Sequence, residues 1–392
     1  MIIRGKIPDT ESFVSVIVEN GKIDRTEPSE KGFSCDSGGR DLFLCPGFFD
    51  PQVNGFAGVD FNSPLLTPEG LHRAALYLAS TGVTCFLITL ITSSHERIVC
   101  QLKIIGEALR NNPLLRAMCL GIHLEGPYIS PEDGPRGVHP REFVRLPRWE
   151  ELEEFQEVCE EQIRCITLAP EVKGAIPFIE KTVAHGMVVG IGHTNASEEV
   201  IEEAVQAGAR LSCHLGNAAP TPPARGQNSI KKQLAMDQLM ASIITDGVHL
   251  SRDTVRNYIE AKGIDRIILT TDSMAGAGAS PGRYTLGDLE VEVNADGTAR
   301  LVGSPRLAGS TLTMDRAVTN VIRFAEVGLP PAIRMAAKNA GKLFPEARGE
   351  MIPGNPANFV LFDYKEKLTV RSTYINGEKI FQKCDKMSQP SR

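Results

Sequence analysis

The sequence has no hydrophobic run long enough to cross a membrane. None approaches the roughly 20 apolar residues of a transmembrane helix, and the N-terminal residues lack the apolar core of a secretory signal. The sequence also lacks an excess of basic residues. It has 42 Lys and Arg and 48 Asp and Glu, which gives a formal net charge of −6. This balance argues against nucleic acid or an anionic membrane as a partner. We expect a small-molecule partner instead.

The cysteines show no paired spacing, and their number, nine, is odd. Cys85, Cys119, Cys165 and Cys213 lie inside apolar, strand-like runs, which suits small core residues better than disulfides or metal ligands. We therefore expect reduced thiols and a cytoplasmic protein. Low-complexity segments are also missing, and no internal repeat is visible beyond an alternation of strands and helices.

That alternation predicts the fold. From about residue 46 to residue 272, short β-branched runs alternate with helical patterns, as in βαβ repeats. Eight predicted strands end near Asp50, Thr89, Glu125, Pro170, His193, His214, Asp246 and Asp272. Helices are predicted between them over residues 67–80, 95–110, 174–185 and 197–207, with Thr67 and Ser197 as N-caps. The pattern predicts an α/β protein with a (β/α)8 TIM barrel.

The two ends of the chain have a different pattern. Residues 1–46 and 352–385 contain short alternating runs with glycine-rich turns, and we expect them to pair into one small β-sandwich beside the barrel of residues 47–351. A β-insertion is predicted near residues 284–302, with a hairpin turn at 294–297. Two helices should follow, over residues 311–327 and 330–342, and the polar tail from residue 383 should fray.

Three residues of metal-binding types follow predicted strands. Glu125, His193 and His214 each come just after a short apolar run, and the two histidines are one βα repeat apart. Parallel barrel strands would bring these side chains to one rim, where two imidazoles and a carboxylate form a usual ligand set for catalytic zinc with an open position. The alternatives are two unrelated histidines bonded to backbone carbonyls and a glutamate in a structural salt bridge.

Other polar residues could complete a hydrolytic site. Asp272 ends the eighth predicted strand, where a carboxylate can take a proton from water and return it to a leaving group; a turn cap is the alternative. Asp246 is the weaker candidate, because Asp-Gly is common turn chemistry. His139 and His249 lie in loops and could donate to a substrate carbonyl or hydroxyl, or could be ordinary surface residues.

Taken together, these motifs resemble the amidohydrolase superfamily, and within it the N-acetylglucosamine-6-phosphate deacetylases. The matching stretches extend across nearly the whole chain. They are Pro46-Gly-Phe-Phe-Asp-Pro-Gln-Val-Asn-Gly, His123-Leu-Glu-Gly-Pro, Gly192-His-Thr, His214-Leu-Gly-Asn-Ala, Asp246-Gly-Val-His, Thr271-Asp and Leu307-Ala-Gly-Ser. The resemblance implies an enzyme that hydrolyses the N-acetyl group of N-acetyl-D-glucosamine 6-phosphate to glucosamine 6-phosphate and acetate, and a homodimer.

The resemblance also implies roles for single residues. Glu125, His193 and His214 would bind the metal, and Asp272 would be general base and acid. Most members of the superfamily have His-x-His on the first strand for a second metal, where this chain has Gln52-Val-Asn54. Amides are poor zinc ligands, so we expect one divalent metal ion, Zn2+ in the first place, with Fe2+, Mn2+ or Co2+ as alternatives.

The expected substrate contacts complete this list. By resemblance, Gln52 would bond to metal-bound water or substrate, His139 would polarise the carbonyl, and the remaining substrate-binding residues would be Asn54, Asn217, Ala218, Arg225, His249 and Ser310. The fork of Arg225, often contributed by the neighbouring subunit, would pair with the phosphate. Residues 219–224 and 226–232 depart from the family pattern, as does the more elaborate loop 131–136.

Two alternatives to this function remain open at the level of the sequence. The first is a related amidohydrolase that deacetylates N-acetylgalactosamine 6-phosphate or an unphosphorylated amide, which the departures around Arg225 motivate. The second is a catalytically silent barrel that serves as an assembly scaffold, for which the missing His-x-His pair is the one argument.

Overall fold

The computed structural model describes residues 1–29, 35–218, 228–346 and 349–384. Its strands are, in chain order, β1 (Ile2–Lys6), β2 (Phe13–Glu19), β3 (Lys22–Pro28), β4 (Ser37–Pro46), β5 (Phe48–Val53), β6 (Gly55–Phe56), β7 (Val59–Asp60), β8 (Val83–Ile91), β9 (Cys119–Glu125), β10 (Ile163–Leu168), β11 (Val188–Ile191), β12 (Leu211–Ser212), β13 (Met240–Ile244), β14 (Ile267–Thr270), β15 (Gly282–Leu286), β16 (Leu289–Val293), β17 (Ala299–Leu301), β18 (Phe359–Tyr364), β19 (Leu368–Ile375) and β20 (Glu378–Gln382).

The helices alternate with the middle group of strands. They are α1 (Pro68–Ala79), α2 (His95–Asn111), α3 (Pro113–Met118), α4 (Trp149–Val158), α5 (Ala175–Ala184), α6 (Glu198–Gln206), α7 (Ser229–Ala235), α8 (Arg252–Lys262), α9 (Met314–Ala325) and α10 (Leu329–Ile333). Short 3₁₀ turns cover Arg141–Phe143, Ile264–Arg266 and Asn339–Lys342, and a π-helical turn covers Arg334–Lys338. Among the described residues, no helix combines the length and apolarity of a membrane span.

Eight parallel strands form the predicted barrel, in the order β5, β8, β9, β10, β11, β12, β13 and β14. Their residues are buried almost throughout, because side chains of one face fill the barrel interior and those of the other face pack on the helices. The predicted N-caps are confirmed: the hydroxyl of Thr67 accepts from Gly70 N at the start of α1, and that of Ser197 accepts from Val200 N at the start of α6.

Contacts between β5 and the end of β14 bring the first and last barrel strands together. Val53 and Ser273 form a parallel bridge. The Asp50 carboxylate in β5 accepts hydrogen bonds from Thr270 Oγ1 at 3.0 Å and from Thr271 N at 3.2 Å. Burial raises the pKa of Asp50 to about 6, and these donors partly offset that effect. The buried carboxylate thus fixes the backbone directly before Asp272.

The two ends of the chain form one β unit, as predicted. Seven strands hydrogen-bond in the order β20, β19, β18, β4, β1, β2 and β3, with β1 and β4 parallel and the other pairs antiparallel. The sheet curls, so that Ile23 N in β3 donates to Asn355 O and Ala357 N donates to Gly21 O. Its two layers are therefore the two halves of one curled sheet, and they enclose a core of their own.

The β-insertion follows the eighth barrel strand. β15, β16 and β17 form a three-stranded antiparallel sheet, and residues 294–298 close the predicted second hairpin. The first hairpin turns at Gly287, whose φ of 62° suits the tight two-residue connection between Leu286 and Leu289. This sheet packs over the carboxyl ends of the barrel strands, against Ile91 and Met274.

Candidate metal and catalytic site

The structure brings Glu125, His193 and His214 together at the carboxyl end of the barrel. Glu125 is the last residue of β9, and the two histidines stand two residues beyond β11 and β12. All three side chains are buried, and one potential ligand atom from each lies within 4.8 Å of the others. The cluster has the composition and the proximity of a site for one metal ion.

A backbone hydrogen bond aims His193 at the carboxylate, and His214 faces the same carboxylate oxygen. Nδ1 of His193 lies 3.0 Å from the carbonyl oxygen of Pro135, which can only accept, so Nδ1 donates and Nε2 faces inward. This Nε2 is 3.2 Å from Oε1 of Glu125, and Nε2 of His214 is 2.7 Å from the same oxygen. A lone pair facing a carboxylate oxygen needs a cation between the two, either a proton or a metal ion. The donor set therefore fits a bound metal.

Three site residues have a backbone conformation that side chains other than glycine rarely adopt. The φ angles are 50° at His193, 28° at His214 and 49° at Asp272. Hydrogen bonds hold these turns: His214 N donates to Ser242 Oγ at 2.8 Å, and Ser310 N donates to Asp272 O at 2.8 Å. The chain thus leaves each strand sharply while the side chain stays in the barrel mouth, an arrangement that clusters at functional sites.

Asp272 lies beside the cluster and is held by two amides. Asn54 Nδ2 donates to Asp272 Oδ1 at 2.7 Å, and Gln52 Nε2 donates to the same atom at 3.1 Å. Gln52 Nε2 also lies 2.8 Å from Glu125 Oε1 and thereby links the two carboxylates. Burial, followed by the negative charge of Glu125, raises the pKa of Asp272.

The amides of the first strand thus have a structural explanation. Gln52 was expected to contact metal-bound water or substrate; in the structure its amide nitrogen is directed at Glu125 and Asp272, and its Oε1 accepts from Cys213 Sγ at 3.2 Å. Oδ1 of Asn54 is buried without a partner among the described residues, and Asn54 lines the cavity. That oxygen is therefore available to a donor on a bound ligand.

His139 is buried beside the cluster. Its ring centre lies 4.3 Å from that of His193, and its Nε2 is 3.8 Å from Glu125 Oε2. Thr92 fixes the other nitrogen, with Oγ1 at 2.8 Å and the backbone N–H at 3.4 Å from Nδ1. Because the backbone N–H can only donate, the tautomer that satisfies it carries its proton on Nε2. Burial lowers the pKa of His139 to about 3, so the ring is neutral.

His249 and Asp246 form a pair at the rim. Nδ1 of His249 donates to Asp246 Oδ2 at 2.7 Å, while Oδ1 of Asp246 accepts from the backbone N–H groups of Val248 and His249. Burial raises the pKa of Asp246, but the hydrogen bond and the charge of His249 outweigh it and lower the pKa overall. Asp246 therefore shapes its turn, as the Asp-Gly pair suggested, and orients His249 toward the cavity.

Comparison with known proteins identifies the family. The profile of the amidohydrolase family matches residues 43–380. The chain belongs to the amidohydrolase family. Its relatives include the N-acetylglucosamine-6-phosphate deacetylase of Bos taurus, 35% identical over 367 residues, which are 88% of this chain and 85% of that protein. The N-acetylgalactosamine-6-phosphate deacetylase of Escherichia coli O157:H7 is 32% identical over 338 residues, 86% of this chain and 87% of that protein.

A solved structure agrees with this assignment. The N-acetylglucosamine-6-phosphate deacetylase of Thermotoga maritima superimposes with a TM-score of 0.85 at 31% identity, over 98% of this chain and 100% of that chain. The match extends over the barrel and the terminal sheet together, so this amidohydrolase shares the whole architecture with that enzyme.

The remaining predicted substrate residues of this amidohydrolase have different surroundings. Asn217 and Ala218 line one cavity together with His249 and Asp272. Ser310 instead donates its hydroxyl to the carbonyl oxygen of Thr271 and accepts from Leu312 N at 2.9 Å, so its bonds hold the backbone around Asp272. Arg225 lies outside the described residues.

Sequence reasoning missed several residues that position the site. Thr92 holds His139, and Pro135 supplies the carbonyl oxygen that orients His193. Thr92 follows the second barrel strand directly, so its position at a strand end was an available signal. A backbone carbonyl such as that of Pro135 leaves no signal in residue type. Ile91, Val138, Leu286 and Leu307, which form the apolar part of the cavity, were also missed.

Proposed function

We propose that this amidohydrolase removes the acetyl group of N-acetyl-D-glucosamine 6-phosphate and releases glucosamine 6-phosphate and acetate. The observation that carries the proposal is the buried cluster of Glu125, His193 and His214 with Asp272 beside it, joined to Glu125 through Gln52. The names of the similar proteins supply the substrate class, because the relatives are deacetylases of N-acetylated amino sugar 6-phosphates.

We propose that one zinc ion is held by Glu125 Oε1 and by Nε2 of His193 and His214. The approach of both Nε2 atoms to one oxygen of Glu125 supports this, as does the usual pairing of such ligands with zinc. When bound, a divalent ion supplies Lewis acidity, lowering the pKa of water and polarising the substrate carbonyl. Gln52 and Asn54 direct their amide nitrogens at carboxylates rather than offering ligands to a second ion, which supports a single metal site. Fe2+, Mn2+ or Co2+ would suit the same ligands as zinc.

Asp272 is proposed to move the proton. Both amides donate to Oδ1, which fixes the carboxylate plane and leaves Oδ2 for a proton from the attacking water. After attack on the acetyl carbon, Asp272 returns this proton to the sugar nitrogen, so that the leaving group departs as an amine. Burial and the charge of Glu125 raise the pKa of Asp272, which makes its carboxylate a better proton acceptor.

His139 is proposed to stabilise the developing oxyanion. Its neutral ring, with the proton on Nε2, can donate to the acetyl oxygen as negative charge accumulates there. Oδ1 of Asn54 is free to accept from the substrate amide or a hydroxyl. Gln52 and Ser310 act as positioning residues through Asp272 in this proposal, whereas substrate contact was expected of both.

The sugar phosphate is proposed to occupy the side of the cavity that follows β12 and β13. Asn217, Ala218 and His249 line that side. His249 is anchored through Nδ1 and can present Nε2 to a hydroxyl group. Arg225 is proposed to pair with the phosphate through its planar fork, contributed by the neighbouring subunit of a homodimer. Light scattering on the purified protein measures its molar mass in solution. The mass of two chains is expected, and the mass of one chain would contradict the dimer.

The decisive experiment measures acetate release from three substrates. N-acetylglucosamine 6-phosphate, N-acetylgalactosamine 6-phosphate and N-acetylglucosamine are compared for wild type, Arg225→Ala and the control Arg73→Ala, an exposed arginine on α1. We expect the first substrate to have the highest kcat/KM and Arg225→Ala alone to lower it, by on the order of 10²-fold for a lost charge-assisted pair. Unchanged kcat/KM in Arg225→Ala would refute the phosphate role.

The same experiment decides between the candidate functions. Preference for the galactosamine substrate would favour the second candidate, which the similarity to the Escherichia coli protein supports. A protein that contains no metal and releases no acetate would be the scaffold alternative.

We also propose a cytoplasmic location, since all nine cysteines are free thiols. The division into a terminal β-domain (1–46 and 352–385) and a barrel (47–351) is likewise proposed.

A further inference from the structure

The cavity of this amidohydrolase has a polar side and an apolar side. Asn217 and His249, which follow β12 and β13, lie on the polar side. The apolar side is formed by Ile91, Val138, Leu286 and Leu307, which we call the apolar wall. Ile91 ends β8, and three strands separate β8 from β12 in either direction around the barrel. Ile91 and Asn217 therefore come from opposite positions on the barrel rim.

The apolar wall is assembled from distant segments of the chain. Ile91 comes from a barrel strand, Leu286 from the tip of the first insertion hairpin, and Leu307 from the segment after the insertion. Ile91 is 5% and Leu286 3% exposed, and both belong to one apolar cluster against which Val138 packs. Well-packed side chains of this kind have little room to adapt to a larger ligand.

Buried polar groups fix the position of the wall. Asp60 Oδ2 accepts from Thr285 Oγ1 at 2.8 Å and from Gly287 N at 2.9 Å, the two residues that flank Leu286. Asn62 Oδ1 accepts from Ile91 N at 2.8 Å. The hairpin tip and the strand end are thus bonded to one short segment of the chain, and the distance between Ile91 and Leu286 is set by it.

The wall borders the atoms that act on the acyl group. Ile91 is the register partner of Glu125 on the neighbouring strand, and Val138 directly precedes His139. An acyl carbon bound between the metal cluster and His139 carries two substituents that differ in polarity. The amino sugar needs hydrogen-bonding partners, which the Asn217 side offers. Against the wall its hydroxyl groups would lose their hydrogen bonds to water and gain none from the protein. The alkyl substituent is the one that matches the wall.

We propose that the apolar wall is the acyl pocket of the enzyme and that Ile91 and Leu286 restrict the acyl group to acetyl. This inference rests on the proposed deacetylase function and adds the residues that determine which amides are hydrolysed. Longer acyl groups place extra methylene groups against side chains that Asp60 and Asn62 prevent from retreating. Differences of one methylene in an apolar pocket change kcat/KM by about 10- to 200-fold.

The test compares acyl chain lengths on one sugar. N-acetyl-, N-propionyl- and N-butyrylglucosamine 6-phosphate are assayed with wild type, Leu286→Ala, Ile91→Ala and the milder Leu286→Val. Leu301→Ala is the matched control, because Leu301 lies in the same insertion and packs on the same cluster but is not among the residues that line the cavity. Circular dichroism melting establishes that each variant is folded.

We expect wild type to prefer acetyl over butyryl, and Leu286→Ala and Ile91→Ala to raise the butyryl-to-acetyl ratio of kcat/KM at least about tenfold. Leu286→Val should shift the propionyl ratio in the same direction, so the proposal stays testable if an alanine variant does not fold. An unchanged ratio in every folded wall variant, or an equal shift in Leu301→Ala, overturns the acyl pocket and leaves the deacetylase function intact. A wild type that hydrolyses none of the three overturns both.

Discussion

The two sides of the cavity are built in different ways. On the polar side and in the metal cluster, the functional groups follow barrel strands, and hydrogen bonds to neighbouring groups aim them, as Pro135 does for His193. On the apolar side, Leu286 belongs to an inserted hairpin that a buried carboxylate holds in place. Reaction and acyl-group choice should therefore reside in separable sets of side chains: the polar groups that follow the barrel strands should control kcat, and the apolar wall, with Ile91 from β8 and Leu286 from the insertion, should control which acyl group is accepted.

The largest effect is expected at Asp272, and it should fall on kcat. In Asp272→Asn the amide oxygen can still accept from Gln52 and Asn54, so fold and metal content should be kept. Because the proton carrier is lost, kcat should fall by on the order of 10²–10⁴-fold. Initial rates with metal content measured in parallel check this. Near-wild-type kcat in the metal-loaded variant would refute the role of Asp272.

The next effect is expected at the amide that links the two carboxylates. Gln52→Glu keeps the shape of the side chain but removes the donor and places a third carboxyl group at a position that is 1% exposed. The free energy of unfolding of the metal-free protein should fall by about 3 kcal/mol near neutral pH. Urea unfolding measures this, and Gln162→Glu, at a partly exposed position, is the control.

The pH dependence of the Gln52→Glu variant sharpens the result. Burial and two neighbouring carboxylates should raise the pKa of the introduced group, so folding should favour its protonated form. Its destabilising effect should therefore be full near neutral pH and shrink as pH falls through the raised pKa, where the protonated carboxyl regains a donor. Equal destabilisation at every pH would contradict this electrostatic explanation.

A smaller effect is expected at the carboxylate that holds the hairpin. Asp60→Ala leaves Thr285 Oγ1 and Gly287 N without their acceptor and should reduce the free energy of unfolding by about 1–3 kcal/mol. The butyryl-to-acetyl ratio should rise severalfold while kcat for the acetyl substrate changes little. Asp288→Ala, at an exposed carboxylate of the same hairpin, is the control. A drop in kcat without a change in ratio would break the separation of the two sides.

The smallest effect is expected at the outer surface of the same hairpin. Arg97 and Asp288 lie 3.6 Å apart with side chains 27% and 58% exposed, and solvent screens such pairs strongly. Arg97→Ala should change the free energy of unfolding by less than about 1 kcal/mol and leave the acyl ratio unchanged. Urea unfolding and the three-substrate assay check both expectations. A ratio shift as large as that of Asp60→Ala would show that the outer ion pair also fixes the wall.

The barrel and its metal cluster could be predicted because the end of each barrel strand is visible in the sequence as the end of a short apolar run. Regular βα spacing placed Glu125, His193 and His214 on one rim, and the terminal strands alternated visibly. Other features left no such trace. Gln52 and Asn54 were expected to contact metal-bound water or substrate, and their bonds to Asp272 were not predicted, because these bonds depend on the meeting of β5 and β14. Leu286 looks like any inward residue of a hairpin, and its distance from Ile91 along the chain hides their contact.

Metal titration of the metal-free protein tests the central claim most directly. Chelator-treated protein is supplied with increasing zinc, and acetate release from N-acetylglucosamine 6-phosphate is recorded at each addition. We expect no activity without metal and a linear rise that saturates at about one equivalent per chain, the stoichiometry of a single two-histidine, one-carboxylate site. Full activity in metal-free protein, or a requirement for two equivalents, would contradict it.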